Sequence, residues 1–205
     1  MGLTAEKLRE DLDAVALREP RLAVQIERIG YPDARIRERG YMTLLRTIVG
    51  QQVSVAAAAS MWRKLEAELG EGFAPGDLLS RDFDALRACG LSRQKQGYAR
   101  SLCELVEAGE LDFGSLPADD EDAIALLTRI KGIGRWSAEI YLLFAEGRAD
   151  IWPAGDLAVQ EGVKRLLDLP ERPAEKATRQ LAEPWAPQRG SMAIFTWHFY
   201  ANPAL

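Results

Sequence analysis

The sequence predicts an all-α fold, long enough for one substantial domain or two small lobes. Three observations lead there. Apolar residues recur at helical spacing along the chain, and no stretch shows the alternation that a half-buried strand needs. Glycine or proline closes one periodic segment after another. The 205 residues are 47% apolar and 28% charged, which suits a buried core under an ordinary solvated surface.

The elements follow in chain order. Residues 3–17 and 20–30 form two short helices divided by Arg18-Glu19-Pro20. Residues 41–50 are apolar along one face. Ser54 is placed to cap a helix of strong formers, VAAAASMWRKLEAEL, which stops at Gly70. Residues 75–80 and 82–90 form two short helices meeting at Ser80–Asp82. A longer one over 93–109 is closed by Gly109. Over 113–130 a proline precedes a run of acids, placed where a helix dipole favours negative charge, with Ile124, Leu127 and Ile130 on the core face. A tight reversal at Lys131-Gly132-Ile133-Gly134 leads into a helix from Arg135 to about Gly147. That helix is expected to bury Trp136, Ile140, Leu143 and Phe144. A further helix starts at Asp156 and runs to about Leu167. Residues 173–183 and 190–200 close the chain.

Composition excludes several chemistries. There are two cysteines, Cys89 and Cys103, and one histidine, His198. A Cys/His metal site and a cysteine-bound iron–sulfur cluster are therefore not expected. A Ser–His–Asp triad would need His198, and the nucleophile elbow is missing. No Walker loop or dinucleotide fingerprint occurs. The chemistry left is that of carboxylates and water. No apolar run reaches the ~18 residues of a spanning helix. The amino-terminal stretch is a charged amphipathic helix and not a signal peptide. Glu6 stands where a myristoylation motif wants Ser or Thr. The chain reads as a cytoplasmic, bacterial monomer.

Net charge is −5, but it is unevenly spread. Residues 85–103 hold Arg87, Arg93, Lys95 and Arg100 with no acid, and residues 28–46 hold five arginines against two acids. Residues 101–122 hold eight acids and no base. These runs read either as solvated faces or as a basic and an acidic side, the latter suited to a nucleic-acid backbone.

Two places stand out. In the Lys131–Gly134 hairpin, glycine allows positive φ and leaves N–H groups bare at the start of a helix, flanked by Lys131 and Arg135. A plain helical corner explains this. So does a phosphate-binding nest, with Ile133 plugging back between the helices. Asp156 is a helix N-cap by position. The alternative is that this lone carboxylate belongs to a site.

Three blocks carry a resemblance: LLTRIKGIGRWSAEIYL with the following Pro153–Gly155–Asp156 turn, TIVGQQVSVAAAASMW, and PWAPQRGSMAIFTWHFY. Together they resemble the helix-hairpin-helix–Gly/Pro/Asp superfamily of DNA glycosylases. The branch they match is the alkylation-repair one, the 3-methyladenine DNA glycosylase II type, in its compact form without an amino-terminal β-rich domain. The resemblance implies two lobes with an active-site cleft between them, a middle lobe over about 41–147 and a second from about 1–40 plus 156–205.

It also implies roles. Asp156 is the catalytic aspartate. Trp136 and Trp197 fall at the base pocket, though core packing would also explain each. Ile140 takes the place of the family's pocket tyrosine, with Tyr141 beside it. Gln52, or else Val53, is the wedge that fills the gap left by the base, or an inter-helix contact. Lys131, Gly132, Ile133, Gly134 and Arg135 meet the DNA backbone. Arg189 either braces the site, touches phosphate or lies on the surface. The backbone carbonyls of Thr128, Ile130 and Ile133 hold a monovalent cation in relatives; no other cofactor is implied.

The family's strand-cutting members carry a lysine two residues after the second hairpin glycine, and here that position is Trp136. The implied activity is hydrolytic release of 3-methyladenine, and of 7-methylguanine, from duplex DNA without a lyase step. A non-catalytic DNA-binding module and a glycosylase for another damaged base are the alternatives.

Overall fold

A computed structural model describes residues 2–202. Among the described residues there is no strand, and no helix is long and apolar enough to cross a membrane. The helices are α1 (Ala5–Ala16), α2 (Pro20–Ile29), α3 (Tyr41–Gly50), α4 (Val55–Leu69), α5 (Pro75–Leu79), α6 (Phe83–Ala88), α7 (Arg93–Glu107), α8 (Asp120–Leu127), α9 (Arg135–Tyr141), α10 (Leu157–Leu166), α11 (Glu175–Leu181) and α12 (Arg189–Ala201).

Short polar side chains set where the helices begin. Ser54, Asp82, Ser92 and Asp119 each accept a hydrogen bond from a backbone N–H in the first turn of α4, α6, α7 and α8. Each such cap is worth about 1 kcal/mol. Gly70 ends α4 at a φ of 93°, which residues with a Cβ seldom adopt.

The chain divides into two compact units, Met1–Arg37 with Glu139–Leu205, and Glu38–Ala138. The second cut falls within α9. In the Glu38–Ala138 unit, Leu45, Ile48, Leu65, Leu78, Leu86 and Leu102 are wholly buried. Helix α7 runs through its centre and packs on α3 and α5. In the other unit α10 lies against α12. A Cβ added at Gly162 would meet Thr196 at 2.7 Å, so the two helices approach as closely as a missing side chain allows. The buried Asp11 of α1 is held there by Lys7 at 2.6 Å and by the Ser191 hydroxyl at 2.7 Å.

Four local expectations change. Trp136 does not join the buried face of its helix, being 47% exposed. It sits in the first turn, and burial begins only at Ala138 and then runs unbroken through Ala145. The α-helical hydrogen bonding stops at Tyr141, and Leu142–Glu146 continue as a wider π-helix closed by the left-handed Gly147. Helix α8 ends at Leu127, so residues 128–134 make the connection and not 131–134 alone. Of the two hairpin glycines, only Gly132 has a positive φ, 82°.

Candidate active site

The Pro153–Gly155 turn aims Asp156 at the start of α10. The Asp156 N–H donates to the Pro153 carbonyl at 2.9 Å, and the Gln160 amide donates to the Ala154 carbonyl at 2.9 Å. The Trp152 indole donates to the Thr178 carbonyl at 3.1 Å. Arg179 reaches both the buried Glu139 and the exposed Glu175. The turn is thus tied to α10 directly and to α11 through Trp152, and α11 in turn pairs with Glu139 of α9.

Asp156 caps α10, as its position predicts. Its Oδ1 accepts from the N–H groups of Ala158 at 2.9 Å and Val159 at 3.0 Å. A third donor comes from 41 residues away: the Trp197 indole N–H, at 3.0 Å. Three N–H groups on one oxygen fix the plane of the carboxylate. The Trp197 ring in turn lies beside Phe144, with centroids 5.6 Å apart and planes tilted by 31°. So the indole that resemblance puts at the base pocket is also a partner of the carboxylate.

Arg189 is a brace. Its guanidinium forms a two-pronged pair with Asp150, at 2.8 and 2.5 Å. Beside it the Gly190 N–H donates to the Ala149 carbonyl at 2.7 Å, fastening the start of α12 to the segment before the turn. Ile140 and Tyr141 lie in the core, 8% and 2% exposed, with the Tyr141 hydroxyl 3.4 Å from Glu146.

In the Glu38–Ala138 unit, the hairpin packs on α7. A Cβ at Gly132 would fall 2.2–2.5 Å from the Tyr98 ring, so glycine is required there by space as well as by φ. Ile133 is the predicted plug, 3% exposed. The Lys131 N–H donates to the Ser101 hydroxyl at 3.1 Å, while Lys131 itself is exposed. Arg135 pairs through both its terminal nitrogens with Glu121.

The segment between α3 and α4 presents Gln52 and Val53. Gln52 holds a left-handed φ of 55°, uncommon for a residue with a side chain. The preceding Gln51 amide donates to the Gly132 carbonyl at 2.9 Å. The Lys95 ammonium donates to the Val49 carbonyl at 2.7 Å, and burial lowers its pKa from the usual lysine value. Gln52, Val53, Tyr98, Lys95, Gly132 and Trp136 help to line one cavity of about 680 Å³. The two wedge candidates, the hairpin and one expected base-pocket tryptophan therefore border the same space.

Among the described residues, no cluster of three or more His, Cys, Asp or Glu side chains could hold a metal ion. Both cysteines are buried, and burial pushes the Cys103 thiol up to about 12, far from a reactive thiolate. The carbonyls expected to hold a cation belong to Thr128, Ile130 and Ile133. That of Ile130 already accepts from the Ile133 N–H at 3.0 Å, which leaves it a second lone pair. A set of neutral carbonyl oxygens fits a hard cation of low charge.

Sequence reasoning missed Phe144 as a neighbour of Trp197, Asp150 as the partner of Arg189, and Gln51 and Lys95 as ties on the wedge segment. Phe144 and Lys95 were read as core and as basic charge. Only the doubled Gln51-Gln52 after Gly50 offered a hint.

A family model described as HhH-GPD superfamily base excision DNA repair protein matches residues 45–187. The chain belongs to this superfamily. The HhH-GPD match takes in the wedge segment, the hairpin and Asp156, and stops short of Arg189 and Trp197. DNA-3-methyladenine glycosylase 1 of Schizosaccharomyces pombe is 31% identical over 165 residues, covering 78% of this chain and 72% of that protein. A crystal structure of a DNA-3-methyladenine glycosidase from Bacillus halodurans superposes with a TM-score of 0.83 at 33% identity, over 91% of this chain and 87% of that one. The Schizosaccharomyces pombe 3-methyladenine DNA glycosylase Mag1, in complex with abasic DNA, gives 0.72 at 30% identity, over 86% and 89%. The chain spans a smaller share, 58%, of the putative glycosylase YfjP of Bacillus subtilis.

Proposed function

We propose that the protein is a monofunctional DNA glycosylase that releases alkylated purines, 3-methyladenine and with it 7-methylguanine, from duplex DNA. The observation that carries this is the Asp156 carboxylate, held at Oδ1 by three N–H groups at 2.9–3.0 Å at the head of α10. The names of the relatives support 3-methyladenine as the lesion.

The chemistry asks little of the protein beyond placement. A purine methylated at a ring nitrogen is cationic, so its bond to C1′ breaks with the electron pair leaving on the base, which departs neutral. Positive charge then builds on the sugar, and a carboxylate that is already oriented stabilises it without reorganising. Water adds at C1′ and passes its proton through Asp156 to solvent. The products are a free base and an abasic site. Trp136 offers no amine where strand-cutting relatives carry lysine, so the sugar–phosphate backbone stays intact.

The remaining residues bind. The hairpin amides of Gly132 and Gly134, with Lys131 and Arg135, hold backbone phosphate at the head of α9, while the Ile133 N–H stays on the Ile130 carbonyl. A monovalent cation held by the carbonyls of Thr128, Ile130 and Ile133 would add positive charge to that phosphate contact. Gln52, with Val53 as its neighbour, fills the gap left by the extruded nucleotide. Trp197 and Trp136 offer aromatic faces, and stacking one base is worth about 1–3 kcal/mol, close to the cost of unstacking it.

The test is incubation of the protein with methylated duplex DNA and chromatography of what is released. Free 3-methyladenine and 7-methylguanine are expected, from strands that break only on later alkali treatment. Release of no base, or nicked strands without alkali, contradicts the reading.

A further inference from the structure

We propose that Gln51 is a positioning residue, a latch that ties the wedge segment to the hairpin so that gripping the strand also sets the wedge. The inference rests on the glycosylase reading above. It goes beyond that reading by giving a task to a residue that touches neither sugar nor base.

The wedge segment is held at two points. Upstream, the Lys95 ammonium of α7 donates to the Val49 carbonyl at 2.7 Å, in the last turn of α3. Downstream, the Gln51 amide crosses 81 residues of sequence to donate to the Gly132 carbonyl at 2.9 Å. Immediately beyond the second tie stands Gln52, whose left-handed φ of 55° is costly for a residue with a side chain and persists where its surroundings hold it.

The far anchor is itself fixed. Gly132 is left-handed at 82°, and the Tyr98 ring occupies the space a side chain would need. The Gly132 peptide is thus packed against α7, and the loop reaches across to its carbonyl. One amide hydrogen bond thus connects the peptide that would face phosphate with the residue next to the wedge. Cutting it should free Gln52 to leave its left-handed conformation while the hairpin still binds backbone.

This predicts a particular pattern of loss. Extrusion of a paired base needs a wedge already in place; a lesion that is already unpaired does not. Gln51→Glu keeps the size of the side chain and replaces the donor by an acceptor that repels the Gly132 carbonyl. We expect this variant to bind undamaged duplex within twofold of wild type. It should excise 7-methylguanine from a paired duplex about tenfold more slowly under single turnover, and from a one-nucleotide bulge at close to the wild-type rate. The rise in fluorescence of 2-aminopurine placed beside the lesion should slow by the same tenfold. Gln51→Lys, which restores a donor, should recover much of the paired-duplex rate.

Equal losses on paired and bulged substrates would mean that Gln51 merely supports the fold, and no loss on either would mean that the hydrogen bond is idle; both overturn the latch. If wild type releases no base at all, the glycosylase reading fails separately, and the 2-aminopurine signal still decides the latch. An identical signal in wild type and Gln51→Glu rejects it.

Discussion

The Trp197 indole donates to the Asp156 carboxylate at 3.0 Å. The indole N–H supplies one of the three donors on Asp156 Oδ1, and of the three it is the one that comes from a distant helix, the other two belonging to the first turn of α10. A hydrogen bond to a charged group contributes about 1.5–3 kcal/mol, so its loss should be visible in rate. Trp197→Phe keeps a ring beside Phe144 and removes the donor. Single-turnover excision should fall about tenfold or more, with the melting temperature within a few degrees of wild type. An unchanged rate would show that the two backbone donors alone orient the carboxylate. At this scale the sequence was a partial guide. The N-cap role of Asp156 was legible, because an acid at a helix start after Pro-Ala-Gly has few other uses. Met192, Phe195 and Phe199 recur at helical spacing and are buried, and that Trp197 falls off this face of α12 was also legible. Its bond to Asp156 was not, since no periodicity links residues on α10 and α12. Trp136 misled in the opposite sense: helical spacing assigned it to the core, but the period carries no information about where a helix emerges from its neighbours.

Among the elements, the connection between α8 and α9 shows why composition and conformation are separate questions. Two glycines look alike in sequence. Gly132 needs its positive φ, and the Tyr98 ring fills its missing side-chain volume; Gly134 has neither constraint, with nothing within 4 Å of the Cβ it lacks. Gly132→Ala should therefore cost about 1–2 kcal/mol for the left-handed backbone alone, and more for the displaced ring. Gly134→Ala should leave thermal stability within about 1 kcal/mol of wild type. Thermal denaturation of the two variants measures the difference, and equal melting temperatures would contradict it. The helices themselves were readable because caps, closing glycines and apolar spacing agree. The π-helix at Leu142–Glu146 was not. Leu142 to Ala145 are all buried and only the last residue, Glu146, is polar, so no polar face marks the change in hydrogen bonding.

For the whole molecule, a net charge of −5 is no bar to a polyanion as partner, because charge acts locally over about 8–10 Å at ordinary ionic strength. Residues 85–103 keep their basic run within the unit that carries the hairpin, and three of the four cations named there have structural duties as well. Arg100 donates to the Leu79 and Arg81 carbonyls, Lys95 to that of Val49, and Arg93 lies over the Phe83 ring at 4.7 Å. The fold class was legible from pattern alone, and the superfamily from three short blocks. Partner atoms were not, because they join segments that only the folded chain brings within reach. The account holds that gripping DNA and breaking the glycosidic bond reside in different residues. One variant separates them. Asp156→Asn should bind lesion-containing duplex within a few-fold of wild type and lose about 10²–10³ or more in single-turnover excision, the scale of one lost electrostatic stabiliser. Excision by Asp156→Asn at the wild-type rate would contradict the account at its centre.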